Sequence, residues 1–127
     1  MNIQAIDHIV ITVKNIDRTC RFYESVLGMI RKTENNRTSL HCNNQKINVH
    51  EVGTIIDTKV LHATPGSADI CLITDSSIEN ILRHLESKKI TIIEGPCNRL
   101  GANGTIASVY FYDPDENLLE VSTYTNQ

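Results

Sequence analysis

Tryptophan is absent from the 127 residues, and Phe and Tyr together make up only 5% of them. That composition gives little material for a ligand cleft built from stacked aromatic rings. Cysteine is confined to Cys20, Cys42, Cys71 and Cys97, widely spaced and without a CxxC pair. The spacing argues against a disulfide framework or a cysteine-built zinc site, and reduced, small apolar side chains in the cytoplasm are the expectation. No apolar run approaches the roughly 20 residues of a membrane-spanning helix. Met1-Asn2-Ile3-Gln4-Ala5 lacks the basic and apolar segments of a secretory leader. Lys and Arg form no cluster and the net charge is −3, so neither nucleic acid nor a membrane surface is an expected partner.

What is present is a repeat. Asp7-His8-Ile9-Val10-Ile11-Thr12-Val13 and Asp69-Ile70-Cys71-Leu72-Ile73-Thr74 read as two copies of one strand. Each alternates apolar and polar positions and precedes a segment of helical periodicity. In the first copy Cys20, Tyr23, Val26 and Leu27 recur at helical spacing within 16–27, Asn15 or Asp17 can cap the start, and Gly28 can end it. Strands are then expected near 29–33, 38–42 and 46–52, with Asn35-Asn36 and Asn43-Asn44 as turns.

The second copy follows suit. Ser76 or Ser77 caps a helix carrying Ile78, Ile81, Leu82 and Leu85, and strands are expected at 91–94, 105–112 and 118–124. Residues 99–104 read as a loop. The fold class expected is α+β: two tandem β-α-β-β-β modules, about 4–53 and about 68–124, joined by a linker at 54–67 within a single domain. One module alone would leave a sheet face uncovered, so the two sheets are expected to enclose a cleft with the helices outside.

Alternation sorts the polar residues. His8, Asn48, His50, Asp69 and Glu120 alternate with the apolar residues expected to pack beneath the helices, so they belong to the other sheet face. Aligning the copies sets His8 over Asp69 and Asn48 over Glu120. A histidine with carboxylates and open positions suits a divalent ion such as Zn²⁺, Ni²⁺, Mn²⁺ or Fe²⁺. The expected metal ligands are His8, Asp69, Glu120 and His50, with Asn48 as the alternative fourth position. Glu120 in an otherwise apolar strand is the most telling, because an unpaired buried carboxylate is costly. His41, His62 and His84 read as surface or loop residues.

These residues carry a resemblance. Ile6 through Val13, then Phe22-Tyr23 through Gly28-Met29, and above all Tyr110 through Val121 resemble the vicinal oxygen chelate superfamily, over nearly the whole chain. That superfamily includes glyoxalase I, extradiol dioxygenases, fosfomycin-resistance thiol transferases and bleomycin-resistance proteins. His50-Glu51-Val52-Gly53 and 64–74 look like its small single-domain, glyoxalase-domain-containing members. The resemblance implies a metal-dependent lyase or isomerase acting on a small substrate with adjacent oxygens, with Glu120 also serving as base, and a homodimer. Its alternatives are an extradiol dioxygenase and a non-catalytic small-molecule binding protein. His8 and Glu120 match the first- and last-strand ligands, whereas Asp69 stands where a His is usual and Asn48 where a carboxylate often lies. Glu116 replaces a common turn Gly. Tyr110, Arg99 and the 101–104 loop are candidates to line the cleft.

Overall fold

The computed structural model describes residues 1–125. Two compact units divide at Gly66–Ser67. The first holds β1 (His8–Val13), α1 (Ile16–Leu27), β2 (Ile30–Glu34), β3 (Arg37–Cys42) and β4 (Gln45–Glu51). The second holds β5 (Asp69–Ile73), α2 (Ile78–Ser87), β6 (Glu94–Gly101), β7 (Gly104–Tyr112) and β8 (Leu118–Tyr124). Each is a β-α-β-β-β module with a four-stranded mixed sheet, ordered β1-β4-β3-β2 in one and β5-β8-β7-β6 in the other. Neither sheet closes into a barrel. Among the described residues no helix is long and apolar enough to cross a membrane.

Local chemistry explains the helix limits. Asn15 caps α1, its Oδ1 accepting from the Arg18 N–H at 2.8 Å. Gly28 ends it at φ 68°, and the Gly28 and Met29 amides turn back to the carbonyls of Glu24 and Tyr23, both at 3.1 Å. Ser77 rather than Ser76 caps α2 through the Asn80 amide. Between β2 and β3 the turn residues Asn35 and Asn36 take φ 53° and 62°, the left-handed pair that a two-residue hairpin needs.

In each module one sheet face is covered by its own helix. Ile11, Val13, Leu40, Ile47 and Val49 are buried with Cys20, Tyr23 and Val26 of α1, and Val109, Phe111, Leu119 and Val121 with Ile81 and Leu85 of α2. Arg31 belongs to this covered side, reaching Asp17 at 3.0 Å and Glu24 at 2.9 Å on α1. The alternate residues make up the opposite face.

One expectation needs correcting. Residues 91–93 are not strand, and half of the expected 99–104 loop belongs to β6, which runs through Asn98, Arg99 and Leu100 to Gly101. An edge strand needs no apolar alternation, and Gly95-Pro96 disguises its start, because Pro cannot donate to the ladder. The pairing with β7 shifts register between Glu94 and Cys97. Gly95 sits at φ +101°, and a Cβ there would lie 2.4 Å from the Ser108 carbonyl oxygen. Only glycine lets the strand close on β7 beside Ser108.

Candidate functional site

Strand register makes the repeat exact at the level of single residues. On β1 and β4, His8 is level with Lys46 and Val10 with Asn48. On β5 and β8, Asp69 is level with Leu118 and Cys71 with Glu120. His8 therefore corresponds to Asp69, Asn48 to Glu120, and His50, level with Thr12, to Ser122.

Glu120 is the best-organised of the candidates. It lies half-buried on β8 between Cys71 of β5 and Tyr110 of β7. The buried Ser108 hydroxyl donates to its Oε2 at 2.6 Å, and the buried Ser122 hydroxyl lies 3.4 Å from the same oxygen. The two serine hydroxyls are 2.7 Å apart. The Tyr110 hydroxyl is also bonded to Glu120, and burial, more than this bond, pushes that phenol up from its ordinary pKa. Arg99 Nε donates to the Tyr110 oxygen at 3.0 Å while its guanidinium reaches Glu94 at 2.7 Å and lies 5.4 Å from the Tyr110 ring centre. Because Arg99 fills an acceptor position on the phenol, the phenolic proton is directed to the carboxylate. A chain of bonds thus runs from Glu94 through Arg99 and Tyr110 to Glu120 and its two serines. Tyr110 and Arg99 stand out in the sequence, whereas Ser108 and Ser122 give only the signal of a small polar residue within an apolar strand.

Asp69 is exposed on the same face, two residues before the level of Glu120. His8 stands at the start of β1 with Nδ1 2.8 Å from Asp7 Oδ1. That bond, with the charges of His8 and Lys46, draws the Asp7 carboxyl below its ordinary pKa. A carboxylate on Nδ1 fixes the ring so that Nε2 points away from it, the arrangement that orients metal-binding imidazoles. Asn48 lies two residues beyond the level of His8, and His50 four, or about 13 Å along the strand at ~3.3 Å per residue. His8 and His50 are thus spread along one sheet face. Burial, and secondarily the charge of Arg37, pushes the His50 imidazole below its ordinary pKa, so it stands neutral at pH 7. His41 joins this face, level with Lys46, its Nε2 2.8 Å from Ser39 Oγ. Only the register of β3 against β4 reveals its place.

Among the described residues no group of three or more His, Cys, Asp or Glu is drawn together to hold a metal ion. The donor types nevertheless suit one. His8 has a carboxylate orienting its far nitrogen, and Glu120 has hydroxyls orienting one oxygen, the supports that nitrogen and oxygen ligands of divalent ions need.

Cys71 reports on Glu120. Burial pushes its thiol up from the ordinary value, Ser122 at 3.5 Å opposes that, and the Glu120 charge adds to it. Iodoacetamide at pH 7.5 is expected to modify Cys71 more slowly than free cysteine, because the thiolate is the reactive form. Glu120→Gln should accelerate the modification severalfold, read by mass spectrometry of the Cys71 peptide. An unchanged rate would mean that the carboxylate does not act on the thiol.

Comparison with known proteins follows the same lines. Residues 5–121 match the description Glyoxalase/Bleomycin resistance protein/Dioxygenase superfamily. Virulence protein STM3117 of Salmonella typhimurium is 46% identical over 125 residues, which cover 98% of this chain and 87% of that protein. The glyoxalase domain-containing protein RDO1 of Mycosarcoma maydis is 38% identical over 124 residues, 98% and 70% of the two chains. An integron cassette protein from V. cholerae superimposes with a TM-score of 0.96 at 46% identity, covering 98% of each chain. Likeness in fold alone extends to a lactoylglutathione lyase from Agrobacterium tumefaciens (TM-score 0.71, 22% identity, 96% and 95% covered). It extends also to TnmS3, an antibiotic binding protein from Streptomyces (TM-score 0.77, 16% identity, 98% and 99% covered). With two β-α-β-β-β modules in matching register, and a family match across them, the chain belongs to the glyoxalase/bleomycin resistance/dioxygenase superfamily.

Proposed function

We propose that the protein is a metal-dependent lyase or isomerase that moves a proton between adjacent carbons of a small substrate bearing neighbouring oxygens. The observation that carries this reading is Glu120, a carboxylate fixed by Ser108 and Tyr110 yet only half-buried on the sheet face opposite α2. Glu120 takes the proton from the hydroxyl-bearing carbon beside the carbonyl as the C–H pair forms a C=C bond and the carbonyl π pair moves to its oxygen. It then returns the proton to the former carbonyl carbon while the hydroxyl proton passes to the neighbouring oxygen. Ser108 and Tyr110 hold the carboxylate in place, and Arg99 holds Tyr110. His8, Asp69 and Glu120, with His50 or Asn48 as a further donor, are the residues that would hold a divalent ion. When bound, that ion (Zn²⁺, Ni²⁺, Mn²⁺ or Fe²⁺) supplies Lewis-acid polarisation of the two substrate oxygens. A second copy of the chain is the expected protein partner, and the cytoplasm, where its four free cysteines stay reduced, the expected compartment.

A second reading has its own observation. Asn48 is a neutral amide at the position equivalent to Glu120, which weakens the donor set and favours a protein that binds a small molecule without transforming it. An extradiol dioxygenase needs two histidines and a carboxylate on one iron, and Asp69 standing where the second histidine is usual weighs against it.

The test is metal content, then solvent deuterium exchange into methylglyoxal–thiol hemithioacetals, with catechols as a second substrate arm. Metal retained by the native protein and lost in His8→Ala, together with deuterium uptake, is the expected result. Negligible metal in every sample would sink the metalloenzyme reading and favour the binding protein. Catechol ring cleavage with Fe²⁺ would overturn the lyase assignment.

A further inference from the structure

The face of the first sheet opposite α1 is cationic in a chain whose net charge is −3. Pairing of β4 with β3 sets Lys46 level with His41 and Asn48 level with Ser39. His50 and Arg37 follow one step beyond Val49 and Thr38, which are themselves level, so they share this face. The acids of the four strands are Glu34 and Glu51. Glu51 turns away, its Oε1 accepting from the Ile16 N–H at the start of α1 at 3.0 Å. Glu34 lies level with Arg37, and Asp7 lies beyond the end of β1, near Lys46. Among the described residues neither Arg37 nor Lys46 forms an ion pair within 4.0 Å. Asn48 and Ser39 sit midway, two residues from the level of each cation, or ~7 Å by strand rise, within the span of Lys and Arg side chains.

We propose that this face binds a small organic oxyanion, a carboxylate or a phosphate, over Asn48 and Ser39, with Arg37 and Lys46 closing on it from either side. Asn48 offers an amide donor, and the Ser39 hydroxyl is free to donate when His41 Nε2–H donates to it. Arg37 contributes a planar fork suited to either anion, and Lys46 a point charge. The oxyanion would be the anionic end of the substrate, and in that respect alone the inference rests on the lyase reading; the binding does not depend on turnover or on metal.

The experiment is titration of the metal-free full-length protein at low salt with inorganic phosphate in one arm and malonate in the other. Binding is followed by calorimetry and by the Asn48 side-chain amide resonance. Saturable binding with Kd of order 1 mM or tighter in either arm is expected, and the tighter arm identifies the handle as phosphate or carboxylate. Arg37→Gln and Lys46→Gln should each weaken it about tenfold, the loss of one charge-assisted contact, whereas Glu34→Gln should leave it equal or tighter. The proposal fails if neither anion saturates by ~20 mM. It fails equally if both cation variants bind within about twofold of the native protein. Proton exchange by Glu120 would be untouched by such a failure, so the two readings stand or fall separately.

Discussion

Replacing Glu120 with Gln is expected to slow proton exchange into the substrate by about 10²–10⁴-fold, the usual contribution of a positioned base. The substitution preserves size and one oxygen, so the 2.6 Å bond from Ser108 has an acceptor still available. What disappears is the ability to take a proton at the oxygen that becomes NH₂. Tyr110, which donates to the carboxylate, would meet a possible donor in its place. Stability should change little, because a half-buried charge gives up its desolvation cost as it gives up its bonds. Deuterium uptake by mass spectrometry and the thermal midpoint measure the two effects separately. Metal content of the same variant divides the roles. A rate lost with metal retained assigns Glu120 as base, and both lost together assign it first as ligand. Exchange within a few-fold of the native rate would remove Glu120 from the chemistry altogether. Tyr110→Phe and Ser108→Ala test the supports, and each should cost less than the carboxylate itself, since each leaves the base present but less firmly held.

The parts of this fold legible in the sequence are those dictated by contacts a few residues apart. Asn15 and Gly28 bracket α1 because capping is a local affair, and Asn35-Asn36 mark a hairpin because few other residues tolerate two successive left-handed positions. β8 was read at its full extent, because strict alternation of Leu119 and Val121 with Glu120 leaves one registration that buries the apolar side. β6 was not, since an edge strand interrupted by Gly95-Pro96 carries no burial signal. The candidate site divides in the same way. Glu120, His8 and Asp69 were visible from repeat alignment, and register confirms that Asn48 is the residue matching Glu120. The serines beneath Glu120, and His41 beside Lys46, were hidden, because which strand neighbours which is decided by pairing between segments far apart in the chain. His50 shows the converse: it shares a face with His8, yet only the parallel register reveals how far along that face it lies.

That register is itself held by a buried turn, and Asp113→Ala should be among the most destabilising single changes. Asp113 Oδ1 accepts the amides of Asp115 and Asn117, both at 2.9 Å, and Oδ2 accepts the Asn117 side chain at 2.8 Å. Asn117 in turn accepts the Ala68 amide at 2.9 Å, tying the turn to the start of β5. Asp113 is 5% exposed and Asn117 1%, so water cannot readily replace a lost acceptor. Three donors would be orphaned, at about 1–3 kcal/mol each when buried, and relaxation of the turn recovers part of that. A loss of about 3–5 kcal/mol follows, a fall in thermal midpoint of ~10 °C or more for a chain of this size. Asp113→Asn should recover only part of it, because its amide turns a donor toward donors. The consequence reaches the site: the turn delivers Leu118 level with both Tyr112 and Asp69, and that alignment sets Glu120 between Tyr110 and Cys71. Urea midpoints of the three proteins measure the stability. If Asp113→Ala unfolds within ~1 kcal/mol of the native chain, the turn is not what fixes β8, and the placement of Glu120 must come from strand pairing alone.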